Sequence, residues 1–304
     1  MTNLHIIKHK AVFLSISGAL VLAAVVCLAS FGFRPAIDFT GGTLWQVQFS
    51  SNAVNDAALS AFLTNDLHFN SPVVYRGMGD SFFIKAQPLS EQEHHTDLMA
   101  LQQKFGTVQE LEFQSIGPSV GQQLASKAIW AGILVLVGIS LYIAFAFRKV
   151  SHPIASWKYG VVTLITLFHD VLIPSGVLAL LGHLSNVEMD TNFVVALLVI
   201  MGFSVHDTIV VFDRIRENIL TKKGGKEFDE TVNDSILQTI ARSINTSFTL
   251  VLVLVAMIIF GAPNLRLFVL IMLIGTVIGT YSSIFVASPL LTIWYKFGKS
   301  KRIK

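Results

Sequence analysis

The sequence has little charge and almost no cysteine, and each shortage argues against a class of protein. Charged residues make up 13% of the 304 residues and hydrophobic residues 53%, whereas soluble domains contain roughly 25% charged residues. A chain of this composition cannot cover itself with polar side chains in water, which argues strongly against a cytosolic enzyme. Cys27 is the only cysteine, so no intrachain disulfide can form. The net charge of +3 is too small to indicate a nucleic-acid partner.

Six apolar stretches are each long enough to cross a membrane as a helix, which takes roughly 20 residues. The first exceeds the roughly 7–15 residues of a signal-peptide core, and no convincing cleavage site follows it, so we interpret it as a retained anchor. The six stretches cover residues 11–31, 129–147, 160–182, 193–212, 243–262 and 267–291. They predict an α-helical polytopic membrane protein in which residues 1–33 form the N-terminus and first span, 126–295 a five-helix domain, and 296–304 a basic tail.

The basic residues predict how these spans are oriented. If the spans alternate, 16 of the 22 Lys and Arg residues fall on one side of the membrane. Cytoplasmic segments carry the excess of Lys and Arg in membrane proteins. Both termini are therefore expected to be cytoplasmic, in a multi-pass protein that is in contact with the lipid bilayer.

Residues 34–125, between the first two spans, are enough for a small folded domain on the opposite side. Alternating hydrophobicity predicts strands at 43–49, 73–75, 82–84 and 108–116, and helical spacing predicts helices at 53–63 and 89–105. A turn is expected at 77–80. The order βαββαβ predicts a ferredoxin-like α+β domain. Within its second helix, Glu93, His94 and His95 are interpreted as a solvated face.

Two acids lie well inside the predicted spans, and each follows a histidine: His169-Asp170 and His206-Asp207. Charges at bilayer depth are expensive and usually functional. Asp207 lies about 9 Å from the cytoplasmic end of its span, at 1.5 Å per residue. Arg242 opens the next span from that same side, so the two side chains can lie at similar depth. An Asp facing an Arg is suited to binding and releasing a proton.

Other interpretations of these residues stay open at this stage. The acids could serve only as hydrogen-bonding partners that hold helices together, and Arg242 could be an anchor that extends to the lipid headgroups. A carboxylate with the oxygens of Ser204 and Thr208 could bind sodium instead of a proton. No His-Glu-x-x-His, Gly-x-Ser-x-Gly or nucleotide-binding loop is present. We therefore expect no metal, no cofactor and no covalent catalysis.

Small residues and breaks in the chain predict how the spans pack. Gly275, Gly279 and Ser283 form a small-residue stripe that permits close helix approach, either as a fixed contact or as a sliding interface. Pro174 predicts a kink near Asp170. In the loop 213–242, residues 213–218 are predicted to continue the fourth span as an amphipathic helix, and residues 228–240 to form a second helix that leads into the fifth span, with a break at 224–225 between them. They would lie at the membrane surface with their basic residues toward phosphates, or dock a partner chain.

Five segments together give the chain a resemblance to a known family. They read IDFTGGT at 37–43, IGPSVG at 116–121, SVHDTIVVFDRIREN at 204–218, RSINTS at 242–247 and GTYSSIFVASPL at 279–290. In this order on six spans, the chain resembles the SecF proteins of the SecD/SecF family, which are bacterial protein-export membrane proteins of the RND superfamily. The family-motif residues are Asp38, Gly41, Gly42, Gly117, Pro118, Asp213 and Arg214.

The resemblance implies a proton-coupled export subunit of the bacterial inner membrane. It implies a complex with SecD that assists the SecYEG channel, with YajC as a further candidate partner, and uses the proton-motive force to move unfolded preproteins outward. The family's proton-linked aspartate falls on Asp207 and its arginine on Arg242; Asp170 and His206 are secondary candidates. His206 departs from the asparagine that often precedes this aspartate in relatives. Two alternatives stay open: half of a proton-coupled small-molecule exporter, and a non-transporting scaffold.

Overall fold

A computed structural model of the chain describes residues 5–50, 54–77, 81–148, 154–221 and 227–300. Within these ranges six helices are long and apolar enough to cross a membrane, which confirms the predicted number and order of spans. The first five are α1 (Lys10–Phe31), α5 (Pro118–Ala146), α6 (Ser156–Ser185), α7 (Thr191–Thr221) and α8 (Phe228–Phe260); the sixth is built from α9 (Arg266–Ser282), a π-helical turn (Ser283–Ala287) and α10 (Ser288–Ser300). Short 3₁₀ turns at Ile7–His9 and Pro263–Leu265 precede α1 and α9.

The prediction that a helix continues beyond the fourth span, and that a second helix leads into the fifth, is confirmed. α7 runs on to Thr221, α8 begins at Phe228, and the predicted break at 224–225 lies outside the described residues. The two extensions bind one another. Arg214 Nε donates to Gln238 Oε1 at 2.6 Å, and Asn218 Nδ2 donates to Ser235 Oγ at 2.8 Å. The guanidinium of Arg214 thus bonds to protein side chains, Gln238 on α8 and Glu217 on α7.

The membrane helices form one compact unit, with α6 at its centre. In the most apolar 18-residue stretch of each helix, 56% of the residues of α6 are buried inside the protein. The corresponding share is 6% in α5 and 11% in the first span. α6 is therefore a core helix, whereas α1 and α5 present most of their surface outward. The core is formed by Ile143, Phe147, Tyr159, Val162, Leu167, Met201, Val205, Val211, Phe212, Ile284, Ala287 and Leu291, among others.

Small residues allow four helices of this unit to approach one another closely in two pairs. A Cβ added to Gly176 on α6 would lie 2.5 Å from the Cα of Ala24, so α1 packs against α6 at this point. A Cβ added to Gly275 on α9 would lie 2.2 Å from Cδ1 of Ile200 on α7. Helix association in a bilayer depends on such close backbone approach, because lipid is as apolar as the helices themselves.

One carboxylate joins the first, fifth and sixth spans at one end of the bundle. Asp229, in the first turn of α8, accepts hydrogen bonds from Lys10 Nζ at 3.2 Å and from Lys296 Nζ at 2.8 Å. Lys10 also donates to Thr292 Oγ1 at 3.2 Å. These contacts fix α1, α8 and α10 to one another.

The second compact unit contains Pro35–Trp130 together with Met189–Thr191. Its elements are a one-turn helix α2 (Ile37–Thr40), β1 (Gly42–Phe49), α3 (Asp56–Asn65), β2 (Val73–Arg76), β3 (Ser81–Ala86), α4 (Glu91–Phe105) and β4 (Val108–Ile116). The four strands form an antiparallel sheet in the order β2-β3-β1-β4. The predicted βαββαβ order is confirmed; residues 78–80 of the predicted turn lie outside the described residues.

The helix α4 begins with a reciprocal cap. Ser90 Oγ accepts the backbone N–H of Glu93 at 3.3 Å, and Glu93 Oε2 accepts the backbone N–H of Ser90 at 2.8 Å. This arrangement satisfies amide donors that the first turn of a helix otherwise leaves unpaired. The hydrogen bonds from Ser90 stabilise the ionised form, and they lower the pKa of Glu93 below its usual value.

The interpretation of residues 93–95 as a solvated face was wrong for His94. The residue is only 7% exposed, and its ring stacks on Phe113 with centroids 3.6 Å apart. Glu110 Oε2 lies 2.6 Å from His94 Nε2 and accepts Trp45 Nε1–H at 2.8 Å. A histidine at the fourth position of a polar helix start can turn inward when a strand carboxylate meets it, which the sequence pattern alone does not reveal.

We expect His94→Ala to destabilise the outer domain by about 2 kcal/mol, because it removes a hydrogen bond to a carboxylate and leaves that carboxylate short of a donor. Hydrogen exchange of the α4 and β4 amides in the full chain measures the effect. His95→Ala is the matched control, because the His95 side chain is exposed. Equal protection in the two variants would contradict the assigned role of His94.

We expect Gly275→Leu to destabilise the membrane unit by about 1–3 kcal/mol, because the new side chain overlaps Ile200 in a packed contact. The thermal unfolding midpoint of the purified chain in detergent measures this. Gly138→Leu on α5 is the control, since a Cβ at Gly138 meets no atom within 4 Å. A midpoint that falls equally in both variants would show that α9 and α7 do not depend on this close contact.

Candidate functional site

Asp170 on α6 is the most deeply buried acid in the described chain, with no exposed surface. Its Oδ1 lies 2.8 Å from Nδ1 of the neighbouring His169. Its Oδ2 accepts hydrogen bonds from Ser282 Oγ at 2.7 Å and from Ser204 Oγ. Pro174 follows four residues later and lacks the N–H that would bond to the Asp170 carbonyl. The carboxyl is thus held by α6, α7 and α9 together.

Asp207 on α7 is 4% exposed and lies in the same unit. Its Oδ2 accepts a hydrogen bond from Ser283 Oγ at 3.3 Å. Ser243 on α8 lies beside the same carboxyl. Its buried Oγ has no partner among the described residues at the distance and angle of a hydrogen bond. Thr208 Oγ1 is likewise buried without such a partner. The surroundings of Asp207 are therefore less completely bonded than those of Asp170.

The two acids are connected through a pair of adjacent serines on the sixth span. Ser282 ends α9 and binds Asp170, while Ser283 begins the π-helical turn and binds Asp207. Consecutive residues of a helix point about 100° apart, so one span can serve two acids on two neighbouring helices. π-helical turns are rare and occur frequently at functional sites.

The glycine stripe brings the sixth span close enough for these bonds. A Cβ added to Gly279 would lie 3.2 Å from the Cβ of Ser204. Ser204 precedes Asp207 by three residues and therefore lies on the same face of α7. The stripe predicted from Gly275, Gly279 and Ser283 thus packs on the face of α7 that carries Asp207.

The structure does not bring Arg242 to Asp207. Among the described residues no ion pair joins them, and the Arg242 side chain is exposed. The buried face of α8 carries Ser243 and Ser247 instead. Because neighbouring residues of a helix point in different directions, burial of Ser243 turns Arg242 outward. His206 is exposed for the same reason beside the buried Asp207.

The family-motif residues near the start of the outer domain form a compact turn. Gly41 and Gly42 have φ angles of +75° and +132°, which non-glycine residues resist. A Cβ on Gly41 would lie 2.8 Å from the Cα of Pro118, the first residue of α5 after Gly117. Asp38 Oδ2 accepts the N–H and the hydroxyl of Thr191.

The motif residues Asp213 and Arg214 lie on the extension of α7. Asp213 Oδ1 accepts from Arg216 at 3.3 Å, and Arg214 donates to Glu217 at 2.6 Å. Neither contacts the buried acids. The sequence analysis considered Ser204 as a possible sodium ligand and Ser283 as a packing residue, and it missed that Ser204 and Ser282 bond Asp170 and that Ser283 bonds Asp207. Two successive serines within an otherwise apolar span were the signal that could have indicated them.

Family models match most of the chain. The model for "Protein export membrane protein SecD/SecF, C-terminal" matches residues 97–297, and the "SecD/SecF GG Motif" model matches residues 28–53. The second match contains the Asp38–Gly42 turn. The first contains both buried acids and the serine pair.

Curated relatives resemble the chain over nearly its full length. Protein translocase subunit SecF of Thermobaculum terrenum is 41% identical over 299 residues, covering 95% of this chain and 93% of the relative. Protein translocase subunit SecF of Anaerolinea thermophila is 36% identical, covering 96% and 94%.

A solved structure shares the fold, and the family assignment follows. The chain resembles the crystal structure of SecDF, a translocon-associated membrane protein from Thermus thermophilus, with a TM-score of 0.79 and 33% identity. The match covers 95% of this chain and 38% of the solved one. A second SecDF structure, in a super-membrane-facing form, matches with a TM-score of 0.65. The chain belongs to the SecD/SecF family of protein-export membrane proteins and within it matches the SecF translocase subunits.

Proposed function

We propose that this chain couples proton movement to protein export, as the SecF-type half of a complex with a SecD-type partner. The observation that carries the proposal is the bonding of two buried intramembrane acids to the adjacent hydroxyls of Ser282 and Ser283. A fixed scaffold could hold its helices together with apolar side chains, and intramembrane acids are by default functional candidates. Proton uptake and release needs no covalent intermediate, so the subunit acts without covalent catalysis.

Asp207 is the acid that we propose to bind and release the proton. Its carboxyl has a hydrogen bond from Ser283 at 3.3 Å, whereas the Asp170 carboxyl has bonds from two hydroxyls and a histidine. A carboxylate needs donors and a protonated carboxyl needs an acceptor. Small shifts of the π-helical turn would change the hydrogen bond of Ser283 to the ionised and to the protonated carboxyl of Asp207 by different amounts. Asp170 then holds Ser282 in place, and with it the turn that meets Asp207.

The exposed polar residues of α7 and α8 support the proposal that a partner chain packs against these two helices. His206 on α7, and Arg242 and Asn245 on α8, are exposed although they lie in or beside spans. Polar side chains within a bilayer face protein or a water-filled cavity rather than lipid. In the solved SecDF, the matched part accounts for 38% of the chain, which leaves room for such a partner. We propose that Arg242 and His206 reach the proton route from this interface.

The remaining assignments rest on charge distribution and family resemblance. The excess of Lys and Arg on one side supports cytoplasmic termini. With this orientation the outer domain faces the side to which proteins are exported. We propose that the complex works beside the SecYEG channel on unfolded preproteins, with YajC as a further component.

We expect Asp207→Asn to abolish the proton-motive-force-dependent stimulation of export while the complex still assembles. Asparagine has nearly the same shape and can accept from Ser283, but it cannot carry a proton at any working pH. Export of a reporter preprotein in membrane vesicles, with and without an uncoupler, measures the effect. Glu230→Gln, which changes an exposed acid of α8, is the matched control. Uncoupler-sensitive stimulation in Asp207→Asn would disprove the proton role, and stimulation driven by a sodium gradient alone in wild type would assign the site to sodium.

We expect a photo-reactive amino acid at position 206 to capture the SecD-type partner after illumination of intact membranes. Position 130 on α5 is the control, because Trp130 is exposed on a helix for which we propose no partner. Mass spectrometry of the crosslinked products identifies what each position touches. Lipid adducts alone from position 206 would exclude this face as the interface.

A further inference from the structure

The start of α7 belongs structurally to the outer domain. Met189–Thr191 clusters with Pro35–Trp130, although the remainder of α7 belongs to the membrane unit. Pro35 and Met189 form a parallel β-bridge, and the N–H of Ala36 donates to the carbonyl of Met189 at 2.8 Å. The chain therefore returns to the base of the outer domain just before it enters its fourth span.

Asp38 holds this returning segment with its carboxylate. Oδ2 accepts the backbone N–H of Thr191 at 2.8 Å and the Thr191 hydroxyl at 2.6 Å. Oδ1 lies 3.4 Å from the donor Nε2 of Gln114 on β4. The Asp38 residue is only 8% exposed, so these bonds are largely shielded from water. A carboxylate at the first N–H of a helix also complements the positive end of its dipole.

The turn that carries Asp38 is closely packed and leads directly into the sheet. α2 is a single turn, and Gly42 begins β1, which lies between β3 and β4. A Cβ on Gly41 would lie 2.8 Å from Pro118, and one on Gly121 would lie 2.9 Å from the Gly41 nitrogen. The turn therefore packs directly against the start of α5 and is joined to β1 through Gly42.

We propose that Asp38 is a positioning residue that anchors the start of α7 to the outer domain, so that the two move together during the transport cycle. This proposal rests on the proposed function. Asp207 lies 16 residues after Thr191 on one uninterrupted helix, about 24 Å along its axis. A hydrogen-bonded helix transmits an axial shift along its length. Displacement of the outer domain is thereby passed to Ser204 and Asp207, and a protonation change at Asp207 is passed back.

The anchor can be tested with variants that remove its bonds singly. Asp38→Ala removes the acceptor, and we expect it to lower proton-motive-force-dependent export stimulation about tenfold, within the range usual for lost coupling between sites. Thr191→Val removes one of the two donors and should have a smaller effect, while Thr191→Ser retains both donors and should behave as wild type. Asp66→Ala changes an exposed acid of the same domain and serves as the control. Full stimulation in Asp38→Ala would overturn the proposal.

A disulfide separates an anchor that works in the assembled protein from one that only assists folding. Pro35→Cys and Met189→Cys place two thiols on bridge-paired residues, in a chain that also carries Cys27→Ala and Asp38→Ala. We expect stimulation to return when assembled membranes are oxidised and to disappear again with dithiothreitol. No return on oxidation, with the disulfide verified by mass spectrometry, would overturn the proposal. Inhibition by the same disulfide in a chain that retains Asp38 would do so too, because it would mean that the contact must open.

The anchor and the proton role fail in distinguishable ways. If Asp207→Asn keeps uncoupler-sensitive stimulation, the proton role fails, and the disulfide rescue still tests the anchor. If Asp207→Asn is inactive while Asp38→Ala is fully active, the anchor fails and the proton role stands. Hydrogen exchange at the first turn of α7 gives a readout independent of export: we expect faster exchange in Asp38→Ala and wild-type exchange in Asp207→Asn. Unchanged exchange in Asp38→Ala would contradict the anchor.

Discussion

The organisation of the membrane helices depends on one constraint: an acid inside a bilayer needs polar partners from its own protein. Asp170 and Asp207 lie on adjacent spans, and the sixth span supplies a hydroxyl to each. This requirement explains why α9 carries glycines where it meets α7, since larger residues would hold Ser282 and Ser283 too far away. It also explains why α6, which carries the fully buried acid, is the central helix and α5 a peripheral one.

α7 is the helix that contacts the outer domain, carries the proposed proton-binding acid Asp207 and contacts α8. Its first residue is bonded to a carboxylate of the outer domain, its middle carries Ser204 and Asp207, and its end is bonded to α8. One helix of 31 residues therefore begins with a bond to Asp38, carries Asp207 and ends with bonds to α8. Long, uninterrupted helices are costly to bend without a proline or glycine pair, and the described α7 contains neither proline nor adjacent glycines.

The sequence was sufficient for features that depend on residue type and period, and insufficient for those that depend on side-chain direction. Six apolar runs and an alternating pattern predicted the spans and the βαββαβ domain, because hydrophobic period follows burial directly. Asp207 and Asp170 were found because acids are rare at that depth. The pairing of Asp207 with Arg242 depended on the rotation of α8, which burial of Ser243 decides. The inward turn of His94 and the capping of α7 by Asp38 join residues 16 and 153 positions apart, which no local pattern contains.

The contacts of Asp229 have a consequence for how the protein is made. Lys10 precedes Asp229 by more than 200 residues, and Lys296 is in the last described helix. During synthesis from the amino end, Lys10 must wait for α8 to emerge, and Asp229 gains its second lysine only when α10 is complete. The contacts among α1, α8 and α10 are thus completed at the end of synthesis, when Lys296 joins Lys10 at Asp229. A ribosome that stops short of α10 leaves Asp229 with Lys10 as its single lysine partner, and leaves Lys10 without the Thr292 hydroxyl.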